Sequence, residues 1–219
     1  GHAGTLVALD DYEAAVAGGA PPTVAPAPGG EAPQLLLYTS GTSAQPKGAL
    51  LTHTNLLKMG QAMMQVDPCG PDDDFVSFLP YAWIGEQMMS LSCGLQAGFT
   101  INFPEEPETV MEDIREIGPH VMFAPPRIWE NLTSTVQVKI MDTTPFKRFM
   151  YERCMRVGRK VADLRFQKKP VPLRLRIAYR LANWALLRAL KDRLGFTFLR
   201  SASTGGAALG PDVFRFFHA

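Results

Sequence analysis

The sequence predicts an α/β fold, a mostly parallel sheet with crossover helices. Three observations predict it. From Gln34 onward, short apolar runs of strand length alternate with stretches of helical periodicity. The stretches between runs are long enough for a helix of roughly 10–15 residues, as parallel strands require. Proline and glycine punctuate the junctions, as at Gly118-Pro119 and Pro125-Pro126.

The elements follow in order. Residues 5–17, "TLVALDDYEAAVA", predict a strand end and a short helix. Residues 18–33, "GGAPPTVAPAPGGEAP", form a linker, so 1–33 is a leading segment and 34–219 the folded part. "QLLLYT" (34–39) is a strand, and a polar loop follows it. "THTNLLKMGQAMMQV" (52–66) is a helix, capped by Thr52 or Thr54, that buries Leu56, Leu57, Gly60, Met63 and Met64. Strands at 75–80, 99–103 and 120–126 alternate with helices at 84–97 and 107–117. A long helical stretch begins near Arg127 and is broken near Pro145 and again at Pro170-Pro172. "FTFLRSAS" (196–203) is a last strand, "TGGAALG" a loop, and Pro211 opens a terminal helix. No internal repeat is visible.

Composition bounds the function. With 219 residues, 46% hydrophobic and 20% charged, the chain has an ordinary globular make-up and can bury a core as one domain or two small ones. A formal net charge of +1 conceals an asymmetry. Segment 147–193 holds fifteen Lys/Arg and three acids, leaving seven basic and eighteen acidic residues elsewhere. Within it, "RIAYRLANWALLRALK" (176–191) has polar residues at 176, 180, 183, 188 and 191. Either this is a core helix with snorkelling basic edges, or a basic amphipathic element on an anionic membrane surface. Nucleic acid is not expected, since no binding motif accompanies the charge. Cys69, Cys93 and Cys154 are few and widely spaced, which predicts free thiols, no zinc site and a cytoplasmic location. No run reaches the roughly 18 apolar residues of a membrane span.

The loop "YTSGTSAQPKG" (38–48) carries the chemistry. Backbone N–H groups, glycines and hydroxyls make an anion nest, and Lys47 adds a mobile positive charge. The order Pro-Lys-Gly excludes a Walker A loop. A solvated turn, with Ser40, Thr42 and Ser43 bonding their own backbone, is the plainer alternative.

The loop resembles the phosphate-loop signature of the adenylate-forming enzymes, and "ALLTH" supplies its usual continuation with Thr52 and His53. Ala44 departs from the family's glycine, a strain of about 1 kcal/mol if φ is positive there. "FLPYAWIGEQ" (78–87) is similar to a segment of long-chain acyl-CoA synthetases, with Trp83 where histidine is common. "FAPPRIWENL" (123–132) and "RSASTGGAALGPDVFRFF" (200–217) are similar to two further segments of theirs.

The resemblance implies an incomplete part of the adenylate-forming N-terminal domain and a fragment of an ATP-dependent fatty acid–CoA ligase. An aryl- or bile-acid-type CoA ligase is the sister alternative, and a non-catalytic membrane-surface or partner-binding module the alternative of another class. ATP, Mg2+ and coenzyme A are implied as co-substrates, and a carboxylic acid, most simply a fatty acid, as partner. Thr39, Ser40, Gly41, Thr42, Ser43 and Lys47 match the phosphate-holding loop. Gly205, Gly206 and Ala207 match the turn beside adenine and the acyl end, and Trp83 the acyl pocket. No catalytic nucleophile or metal ligand is assigned. Plainer roles are a core aromatic for Trp83, a strand cap for Gly205-Gly206, local structure for His53 and Arg127, and a helix-dipole acid for Glu86. The family's downstream Thr-Glu, Thr-Gly-Asp and lysine motifs are not in the sequence, so the isolated chain is expected to be inactive.

Overall fold

Strand β1 (Pro33–Thr39) pairs antiparallel with β2 (Lys47–Thr52), opposing Leu37 to Ala49 and Thr39 to Lys47. The computed structural model describes residues 29–39 and 46–219. Most of the expected linker therefore lies outside the described residues; Gly29–Ala32 form a turn and Pro33 already belongs to β1.

The hairpin corrects one expectation. The sequence predicts strand, loop and helix, whereas a second strand intervenes, and the pair forms a sheet of its own. Residues 49–51, read from the sequence as the loop's continuation, pair across to Leu37, Leu36 and Leu35 and are a strand. Helix α1 (His53–Val66) follows directly. Thr52 is its cap: its Oγ accepts the Asn55 N–H at 3.2 Å, and Asn55 Oδ1 accepts the Thr52 N–H at 3.0 Å.

The main sheet is parallel, in the order β4-β3-β5-β6. Its strands are β3 (Asp74–Val76), β4 (Thr100–Asn102), β5 (Val121–Phe123) and β6 (Ser201–Ser203). Helix α2 joins β3 to β4 as Ile84–Glu86, a π-helical Gln87–Cys93 and Gly94–Ala97. Helix α3 (Val110–Ile117) joins β4 to β5. Then come α4 (Pro126–Met141), α5 (Pro145–Phe166) and α6, the last built from Leu173–Ala182, a π-helical Asn183–Leu187 and Arg188–Arg193. Helix α7 (Pro211–His218) follows β6, with Pro211 in its first turn as expected.

Both faces of this sheet are covered, as a parallel sheet demands. Phe75 and Val121 pack with Met89, Cys93 and Phe99 on the α1–α2 side. Their neighbours Val76, Met122 and Ala124 pack with Ile114, Trp129, Leu132 and Phe196 on the other. Each fully buried large side chain contributes about 1.5–3 kcal/mol. A third cluster, including Val136, Tyr151, Met155, Leu187 and Phe216, ties α4, α5, α6 and α7 together.

Two further expectations change. The last strand shrinks from 196–203 to Ser201–Ser203, because Gly195 takes φ +76° and turns Phe196 into the core. The core-helix alternative for 176–191 holds for one face only. Tyr179, Ala182 and Leu187 pack inward, but Ile177, Leu181 and Trp184 are exposed.

The strand starts are locked by charge. Arg200, just before β6, donates through Nε and Nη2 to Asp73 at 3.1 and 2.5 Å and reaches Asp67 at 3.4 Å. Ser201 Oγ donates to Asp67, and His120 Nδ1 accepts the Asp74 N–H at 3.0 Å. The Arg200 guanidinium holds the Asp73 carboxyl below the usual carboxylate range, and Asp73 raises Arg200 in turn.

Candidate nucleotide-facing site at the strand ends

The opposite, C-terminal ends of the strands have a different character. The chain moves from β3 outward to β4, then returns past β3 to β5 and on to β6. The connections diverge between β3 and β5, and in open α/β sheets the crevice outside such a divergence takes the ligand.

Three residues meet there. Phe123 ends β5, Gly85 lies in the first turn of α2 after β3, and Gly205 follows β6. A Cβ on Gly85 would lie 2.5 Å from the Phe123 ring, and one on Gly205 3.1 Å from it. The ring is thus flanked by two residues without side chains. Gly206 takes φ +87°, a left-handed conformation that favours glycine.

Thr204, between β6 and these glycines, has a buried Oγ1 without a hydrogen-bond partner. Sequence reasoning passed over it; its only signal was a hydroxyl immediately before Gly-Gly. Thr204 also lines a cavity of about 370 Å³ with Trp129, Phe196, Leu199 and Leu209. A second cavity, about 480 Å³, opens beyond β3 and β4 between Ser77, Leu79, Phe103 and Ile128.

Glu86 anchors the loop after β3. It is fully buried and accepts from Ser77 Oγ at 2.6 Å, from Ser90 Oγ, and from the Leu79 N–H at 3.3 Å. It does stand in a helical first turn, but the dipole account is insufficient. Three donors converge on the carboxylate and fix the 77–86 segment.

Trp83 is at the N-terminus of α2, where its carbonyl accepts the Glu86 N–H at 3.1 Å. Trp83 is 51% exposed and belongs to none of the core clusters above, and it lines neither cavity. Thr39 and Lys47 face each other across the hairpin mouth, with Thr39 Oγ1 donating to the Lys47 carbonyl at 3.3 Å. Ser40, Gly41, Thr42 and Ser43, and also Ala44, lie outside the described residues. Among the described residues, no hydrogen bond or ion pair joins Lys47 to Gly205–Ala207. The structure therefore brings Gly85, two residues after Trp83, and the Gly205 turn together around Phe123, and leaves the hairpin as a separate group. Ala207 is exposed beside Gly206.

The AMP-binding enzyme family profile matches residues 4–219. The chain belongs to the AMP-binding enzyme family. It is 32% identical over 183 residues to fadD11 of Mycobacterium tuberculosis, provisionally named a fatty-acid–CoA ligase, covering 83% of this chain and 32% of that protein. It is 30% identical over 190 residues to long chain acyl-CoA synthetase 1 of Arabidopsis thaliana, covering 83% and 27%. Its fold is shared with the adenylation domain of a carboxylate reductase from Mycobacterium chelonae, with TM-score 0.60 at 20% identity over 88% of this chain and 25% of that one. The chain spans 32% and 27% of the lengths of these two curated relatives. Its fold is thus part of an adenylate-forming N-terminal domain, as the family resemblance implied.

Proposed function

We propose that this AMP-binding segment belongs to an ATP-dependent fatty acid–CoA ligase. The observation that carries the reading is the strand-end turn, where Thr204 offers an unpartnered hydroxyl beside Gly205 and the left-handed Gly206. Such a turn lets a flat base approach backbone without side-chain obstruction. The names of the relatives supply the substrate class.

In this reading, residues 34–219 are the nucleotide-facing part and 1–33 a leading segment. A substrate carboxylate oxygen attacks the α-phosphorus of ATP, and the bond to the β-phosphate oxygen breaks. The products are an acyl-adenylate and pyrophosphate. The sulfur of coenzyme A then attacks the acyl carbon, AMP leaves, and the thiol proton passes to solvent. Neither step needs a protein nucleophile. The chain contributes positioning and charge. Thr39, Ser40, Gly41, Thr42, Ser43 and Lys47 hold the β- and γ-phosphates; Gly205, Gly206 and Ala207 lie along the base and the acyl end; Trp83 borders the acyl chain. Mg2+ enters with ATP as a co-substrate in this reading, and no metal ligand is assigned among residues 34–219. A cytoplasmic location with peripheral membrane contact through 147–193 suits an enzyme of hydrophobic acids.

The test is ATP–pyrophosphate exchange by the full protein with alkyl, aryl and bile acids. Exchange driven by fatty acids, reduced at least tenfold by Lys47→Ala and by Ser40→Ala, is expected. Exchange driven by aryl or bile acids alone would move the assignment to the sister class, and exchange unaffected by either substitution would remove the loop from the mechanism.

A further inference from the structure

Helix α6 turns an apolar stripe to solvent. Leu173, Ile177, Leu181 and Trp184 are spaced four, four and three apart, which stacks them on one helical face. They are 68, 51, 62 and 80% exposed. The opposite face, with Tyr179, Ala182, Leu186 and Leu187, packs into the cluster shared with α5. A helix of 3.6 residues per turn places Arg174 on one flank of the stripe and Arg176 and Arg180 on the other. All three arginines are exposed, and among the described residues none is ion-paired. Between Asp163 and Asp192 the sequence holds eight Lys/Arg and no acid.

We propose that this face of α6 is the surface by which the protein lies on an anionic phospholipid bilayer, with Leu173, Ile177, Leu181 and Trp184 in the headgroup–acyl boundary and Arg174, Arg176 and Arg180 on the phosphates. The proposal rests on the membrane contact assigned above to 147–193, and names the face and the lipid. A convex ridge with an apolar centre, a terminal tryptophan and cations on both flanks has the cross-section of a helix lying in a membrane interface. The arginines reach outward from the stripe to headgroup depth while their stems stay against apolar surface. An acidic protein partner would match the charge but would need a matching apolar groove. Among the described residues no helix is long and apolar enough to cross a membrane, so the contact lies in the interface plane.

The experiment uses the full protein with vesicles of phosphatidylcholine alone and of phosphatidylcholine with phosphatidylglycerol, some carrying brominated acyl chains. Binding is expected only with phosphatidylglycerol, and it weakens as salt rises. Tryptophan emission shifts to the blue and is quenched by bromine, and Trp184→Phe loses that quenched component while still binding. Replacing Arg174, Arg176 and Arg180 by glutamine weakens binding roughly fivefold per arginine. Ile177→Glu with Leu181→Glu abolishes it, and an unchanged circular dichroism melt shows that the variants fold. If the parent binds anionic vesicles but the variants bind equally well and Trp184 is not quenched, this face is wrong and the membrane contact of 147–193 stands. If the parent binds no vesicle, both fail. If Trp184 is shielded from acrylamide in the vesicle-free protein, a protein surface already covers the stripe, and the lipid assignment is overturned.

Discussion

Replacing Glu86 by glutamine and by alanine separates the role of its acceptors from the role of its volume. The carboxylate is buried and serves two hydroxyls through Oε1 and the Leu79 N–H through Oε2. Among the described residues no cation pairs with it. A glutamine can put its carbonyl oxygen in place of Oε1 and keep both serines. Its NH2 then faces the Leu79 N–H, donor against donor. The lost contact is long, at 3.3 Å, so Glu86→Gln falls at the low end of the cost of an unsatisfied donor, about 1 kcal/mol. Glu86→Ala strands all three donors and opens a void, and the expected loss is about 3–5 kcal/mol. Urea unfolding followed by far-ultraviolet circular dichroism reads this as a midpoint shift at unchanged slope, roughly 2 M for the alanine variant. Destabilisation by glutamine equal to that by alanine, or an alanine variant within about 0.5 kcal/mol of the parent, would remove the carboxylate from this anchoring role.

Arg200→Gln should cost about 1–2 kcal/mol at neutral pH, discounted because the Arg200 side chain is 39% exposed. Asp73 has a lowered pKa when folded, so its pairing stabilises above the unfolded carboxylate value near pH 4 and is lost as pH falls through the folded value. Melts from pH 3 to 7 should therefore show the parent and the variant converging at the acid end. Gly85→Ala presses on the Phe123 ring at 2.5 Å and should destabilise by about 1–3 kcal/mol. Phe123→Leu should relieve part of that loss in a double-mutant cycle, and strict additivity would mean that the two residues do not touch. Alkylation at pH 8, followed by mass spectrometry, should modify half-buried Cys69 well before Cys93, whose thiol burial pushes up to about 11. Equal rates would contradict the packing of α2 on β3.

Much of the fold was legible because hydrophobic period and proline placement act locally. Thr52 announced itself as a cap through its own hydroxyl, and Pro211 through its missing N–H. Strand β2 did not, since "ALLT" is too short to show an alternation and becomes a strand only by pairing with Leu35–Leu37. The π-helical turns at Gln87–Cys93 and Asn183–Leu187 leave no distinct periodic mark. Helix α6 left two readings open because composition gives an apolar majority without saying which face finds neighbours; Ala182 and Leu187 do, whereas Ile177 and Leu181 do not. Among the candidate site residues, Lys47 and the pair Gly205-Gly206 stood out by type. Glu86 and Thr204 did not, because their roles come from where distant strand ends place their donors and acceptors.

The pairing of Thr39 with Lys47 has a consequence for residues that touch no ligand. The two ends of the polar segment are held side by side before any anion arrives. The entropy of bringing them together is lost when the hairpin forms, not when the anion is captured. In the proposed reading, affinity for a phosphate chain is then set partly by how firmly Leu37 and Ala49 hold the two strands together. A substitution at either position would weaken anion binding at a distance, by letting the mouth of the loop open.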